Sequence, residues 1–131
     1  MNRVVHFEIQ ADDIERAKKF YESVFGWEIK KWDGMDNYYM VMTAPMGSKE
    51  PGISGGMLKR PCKTPPSEYG TNAYTCTMDC VNFDETSDKI LKAGGKVAMP
   101  KGPIPGMAWI GYFLDTEGNT FGLFQEDKNA K

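Results

Sequence analysis

From residue 3 the chain reads RVVHFEIQ, with Val5, Phe7 and Ile9 alternating against His6 and Glu8. A period of two is that of a half-buried strand, so a strand is expected over residues 3–10. The period changes after Asp12-Asp13. Ile14, Ala17, Phe20, Tyr21, Val24 and Phe25 fall at i, i+3, i+6, i+7, i+10 and i+11, the stripe of a one-faced helix. Asp12 or Asp13 is placed to cap it, and Gly26 to stop it. Three more strands follow on the same reasoning. They are expected at 27–32, at 38–43 after a turn over 34–37, and at 53–58, the last loosened by Gly55-Gly56.

Residues 59–71, KRPCKTPPSEYGT, hold three prolines and a glycine and read as a linker. The pattern then restarts. A strand is expected over 73–78. A helix follows, capped by Asn82 with Glu85 three residues on, and Phe83, Thr86, Ile90 and Leu91 form its stripe. Ala93-Gly94-Gly95 ends it. Strands are expected at 96–99, 107–114 and 120–125, the last two joined by the turn residues of Asp115-Thr116-Glu117-Gly118-Asn119. The stretch 100–106, PKGPIPG, reads as a connector or a stiff rim. Shifting the chain by 69 positions lays His6 on Thr75, Glu8 on Thr77, Asp13 on Asn82 and Ile14 on Phe83. The expectation is one α+β domain over 1–131, built from two tandem βαβββ modules at 1–58 and 72–127. Each helix covers one face of its own sheet. Two sheets curving together leave a cleft lined by strand side chains, a natural small-molecule site.

Composition narrows the class. The 131 residues carry a net charge of -2, and the basic residues are scattered, which argues against a nucleic-acid partner. No apolar run reaches the roughly 20 residues of a membrane span. The first ten residues have no apolar signal-peptide region, so a cytoplasmic protein is expected. Cys62, Cys76 and Cys80 are an odd number of thiols with no second pair or histidine nearby, and are read as reduced.

HFEIQADDIERAKKFYESVFGWEI in the first half resembles the glyoxalase / bleomycin-resistance / extradiol dioxygenase family, the vicinal oxygen chelate superfamily. VNFDETSDKILKAGGKV and MAWIGYFLDTEGNTFGLFQ carry the likeness in the second half. The most specific parts are Phe20-Tyr21 to Phe25-Gly26-Trp27 and the segment from Asp115 to Leu123. The resemblance implies a homodimer and a fold that hosts many activities. Its metal-dependent members hold a divalent ion with His, Glu or Gln from the first and last strands of each half. Here those positions carry His6, Thr75, Gly122 and, as the counterpart of Gly122, Gly56. Threonine hydroxyls and glycine do not replace imidazole and carboxylates around such an ion, so neither a metal nor a cofactor is expected. His6 and Glu8 stand two apart on one strand, roughly 6.6 Å between Cα atoms, so one ion reaches both only weakly.

The candidate site residues follow. His6 and Glu8 are candidate acid/base groups. His6, Glu8, Thr75, Thr77, Trp109, Gly122 and Phe124 are candidate ligand contacts, with Trp109 placed at the mouth. Three functions remain open. The first is a metal-independent binder of an unidentified small molecule. The second is a lyase, isomerase or dioxygenase using His6 and Glu8 or a weak metal. The third is an accessory or regulatory domain without a ligand.

Overall fold

A computed structural model describes residues 6–63 and 75–131. Val5, the linker from residue 64 onward and residues 73–74 of the expected strand lie outside that range. The chain divides into two compact units, Met1–Thr64 and Pro65–Lys131.

The first unit runs β1 (Glu8–Ala11), α1 (Ile14–Phe25), β2 (Glu28–Lys31), β3 (Tyr38–Met42) and β4 (Gly55–Lys59). Its sheet has the order β1-β4-β3-β2, with β1 parallel to β4 and the other pairs antiparallel. Asp13 caps α1 by accepting the Arg16 amide at 3.0 Å, and Gly26 ends it in the left-handed region at φ 69. The buried stripe Ala17, Phe20, Tyr21 and Val24 covers one face of the sheet, where Ile9, Ala11, Ile29, Val41 and Met57 are also buried. Beyond the Gly26 turn, Trp27 stacks on Tyr21 at 5.2 Å and 5°, and on Phe25 at 5.2 Å. The FYxxxFGW segment is thus the hinge that folds the chain from α1 back into β2.

The second unit repeats the plan with β5 (Thr77–Asp79), α2 (Phe83–Lys92), β6 (Lys96–Ile104), β7 (Ala108–Leu114) and β8 (Thr120–Glu126), in the order β5-β8-β7-β6. The Asn82 side chain caps α2 by accepting the Glu85 amide at 3.1 Å. Phe83 and Ile90 are buried, and Phe83, Phe113 and Phe121 form a run of rings about each 6.0 Å step. The 115–119 turn is held by Asp115, which accepts from the amides of Glu117 and Asn119, each at 2.8 Å, and from Asn119 Nδ2 at 2.9 Å. These α+β units, each βαβββ, match the expected tandem modules.

Two expectations need correction. The stretch 100–106 is not a free connector, because β6 runs on to Ile104 and pairs with β7 as far as Ile104 opposite Ala108. Its prolines are tolerated because β6 is an edge strand with shifts in register at Val97/Met99 and Met99/Gly102, where missing donors cost no ladder bond. Leu91 does not join the buried stripe of α2 but is 45% exposed. Ile90 alone fills that position, and the next residue turns about 100° away. Among the described residues no helix is long and apolar enough to cross a membrane.

Candidate functional site

The helix-free face of the first sheet carries the polar residues. Cross-strand partners share a face. The register aligns Glu8 with Gly56 and Gly56 with Met40, while Tyr38 lies opposite Leu58 two residues along the same face. Gly56 has no side chain there, and a Cβ built on it would overlap the hydroxyl of Tyr38. The Tyr38 ring therefore leans over the bare glycine. Trp32, 43% exposed, packs edge-on against it with centroids 6.0 Å apart.

That placement joins His6 and Glu8. His6 Nε2 is 2.9 Å from Tyr38 Oη, and the Tyr38 hydroxyl donates to Glu8 Oε1 at 3.2 Å. Burial pushes the Tyr38 phenol above its ordinary value, and the Glu8 charge and the hydrogen bond to Glu8 push it the same way. The result is a line of three polar groups with a protonated phenol at its centre. Sequence reasoning placed Tyr38 only as the first residue of the strand expected at 38–43. Its partners are 32 and 30 positions away, and only the pairing of β3 with β4 and of β4 with β1 brings them together.

The matching face of the second sheet has different chemistry. Thr77 is opposite Gly122, as Glu8 is opposite Gly56, so the two glycines hold equivalent places. A Cβ on Gly122 would overlap the Thr77 hydroxyl, which leans over it. Phe124 lies two residues along the same face, half-buried, and half-buried Thr75 stands just before β5. Trp109 does not join them. Its cross-strand partner is Gln125, which puts it on the opposite face from Gly122 and Phe124. There its indole N–H donates to Asp127 Oδ2 at 3.0 Å. Lys101 Nζ lies 4.8 Å from the Trp109 ring and 5.3 Å from that of Phe83 while pairing with Asp84. The mouth position expected for Trp109 is replaced by a packing role beside the start of α2. The mouth position was expected because Trp109 follows residues 102–106, read as a loop, of which 102–104 instead belong to β6.

A divalent ion needs several imidazole, carboxylate or thiolate donors converging on one point. In the first unit His6 and Glu8 are separated by the phenol that bonds both, and Gly56 offers nothing. In the second, Thr77 offers a neutral hydroxyl and Gly122 nothing. Among the described residues no three His, Cys, Asp or Glu side chains stand together as a ligand set. These donors do not fit the divalent ion that the resemblance implies for metal-dependent members of the family.

Comparison with known proteins agrees with this architecture. Residues 3–44 match the family described as "Bleomycin resistance protein-like N-terminal". The chain is 29% identical over 130 residues to "Putative glyoxylase CFP32" of Mycobacterium bovis and of Mycobacterium tuberculosis. That match takes in 93% of this chain but 45% of those proteins, so the chain spans about half the length of the curated relatives it matches. Among solved structures it resembles a glyoxalase/bleomycin resistance protein/dioxygenase family enzyme from Burkholderia phytofirmans, at TM-score 0.70 and 15% identity, over 92% of this chain and 95% of that one. It also resembles the fosfomycin resistance protein FosX of Listeria monocytogenes, at TM-score 0.69 and 16% identity, over 94% and 90%. The family match over residues 3–44, the half-length relatives and the repeated βαβββ fold together make the chain similar to proteins of the glyoxalase/bleomycin-resistance/dioxygenase superfamily.

Proposed function

We propose that this protein binds a small molecule without a metal ion, on the helix-free face that carries His6, Tyr38 and Glu8. The observation that carries the reading is the Tyr38 hydroxyl lying over Gly56 and bonded to both His6 and Glu8. Polar side chains linked on an accessible sheet face, beside an exposed tryptophan, offer orientation and apolar contact together. Thr75, Thr77, Gly122 and Phe124 are proposed as ligand contacts of the second unit, taken by itself. Under the same reading the protein works as a cytoplasmic homodimer, a mass that light scattering measures directly.

Protein purified without chelators should hold zinc, nickel, iron and manganese far below one ion per chain. A thermal-shift screen of small ligands should find compounds that raise the unfolding temperature, and His6→Ala should abolish the rise. Stoichiometric metal would overturn the metal-independent reading. A screen without any hit would favour an accessory domain. The Tyr38 bridge also favours a second reading, a lyase, isomerase or dioxygenase in which His6 and Glu8 exchange a proton with the substrate. Turnover lost in both His6→Ala and Glu8→Ala would select it.

A further inference from the structure

The direction of the two hydrogen bonds at Tyr38 decides what His6 offers a ligand. A phenol has one proton to give. Its oxygen is 2.9 Å from His6 Nε2 and 3.2 Å from Glu8 Oε1. If the proton went to His6, the phenol oxygen and the Glu8 carboxylate would face each other as two acceptors with no proton between them. If it goes to Glu8, the bond is charge-assisted, and His6 Nε2–H donates into the phenol's lone pair. Both contacts are then satisfied. The raised phenol pKa, due first to burial and then to Glu8, agrees with a proton held against the carboxylate. His6 Nδ1 and the second Glu8 oxygen take no part in this line of bonds, and in this arrangement both are acceptors.

We infer that Tyr38 is a positioning residue that locks His6 in its Nε2–H tautomer, so that His6 Nδ1 and the second Glu8 oxygen are two separate acceptors, suited to a ligand that brings cationic N–H donors such as an amidinium group. The inference rests on the proposed binding reading of this face and adds the chemistry of what it takes. A positively charged N–H donor satisfies the Glu8 carboxylate, and a further donor is accepted by the imidazole lone pair. A ligand presenting a carboxylate at the same place meets lone pairs on both sides.

Long-range proton–nitrogen spectra of the single histidine, recorded at about pH 8 where an ordinary imidazole is neutral, read the tautomer directly. The wild type should show Nε2–H alone. Glu8→Ala should turn the phenol proton toward Nε2 and make Nδ1–H the major form, and Tyr38→Phe should leave a mixture. A mere packing role for Tyr38 would produce neither change. Benzamidine and benzoate, alike in shape and opposite in hydrogen-bond polarity, serve as probes. Benzamidine should bind at least about tenfold more tightly and shift the Nδ1 resonance. An Nδ1–H form in the wild type overturns the inference, whether or not the variants fold. So does benzamidine binding no tighter than benzoate, including no binding by either. Stoichiometric metal in the purified protein, by contrast, overturns the metal-independent reading without any tautomer measurement.

Discussion

Gly56 and Tyr38 act as one unit at the scale of single residues. The glycine leaves the space, and the phenol fills it with a hydroxyl that reaches two strands. Gly56→Ala should push the ring off His6 and Glu8 and return the Tyr38 pKa toward its ordinary value, read from phenolate absorbance with Tyr38→Phe as the blank. The same raised pKa sets a pH dependence. The folded state holds this proton more tightly than the unfolded chain, which releases it near pH 10. The contribution to stability is complete below that pH and is lost as pH rises through the folded-state value. Above about pH 10 the wild-type unfolding temperature should therefore fall faster than that of Tyr38→Phe. His6 and Glu8 were legible as a same-face pair because alternation is a local signal. Tyr38 was not, because the register of β3 against β4 is set by pairing across the sheet and leaves no local mark.

Periodicity and capping carried most of the information at the scale of elements. Asp13 and Asn82 cap their helices 69 positions apart, as the sequence offset requires, since each side chain accepts an amide three residues on. The stop at Gly26 was equally legible, because a left-handed residue there suits glycine. What failed was the inward-facing edge of α2 and the length of β6. A stripe of four residues is too short to tell which of two adjacent apolar positions faces the sheet, and Ile90 took the place. Ile90→Ala should cost about 2–4 kcal/mol in chemical denaturation, the price of an unfilled core site. Leu91→Ala should change stability by no more than about 0.5 kcal/mol. Equal losses would mean that α2 is rotated from the described orientation. Proline and glycine in 100–106 argued for a loop, and they would do so correctly in a central strand. The edge position of β6 removes the objection, and an edge is a property of the sheet order rather than of the segment.

The two units share one topology but not one chemistry at the scale of the whole molecule. Glu8 opposite Gly56 has become Thr77 opposite Gly122, and among the described residues the ionisable line His6–Tyr38–Glu8 has no counterpart in the second unit, where Thr77 supplies a neutral hydroxyl. The repeated βαβββ plan thus keeps the backbone places while the side chains beside the two glycines differ. The bordering strand of the second unit has a separate consequence. An outermost ribbon of backbone donors and acceptors is a template for another chain. In β6 that ribbon carries Pro100 and Pro103, which lack amide protons, charged Lys96 and Lys101, and two breaks in register. Such a border resists fibrillar stacking with its own kind. Replacing both prolines with threonine should leave the circular dichroism of dilute protein nearly unchanged and yet raise light scattering at high concentration. Unchanged scattering would show that the lysines and register breaks are enough to keep the border unsociable.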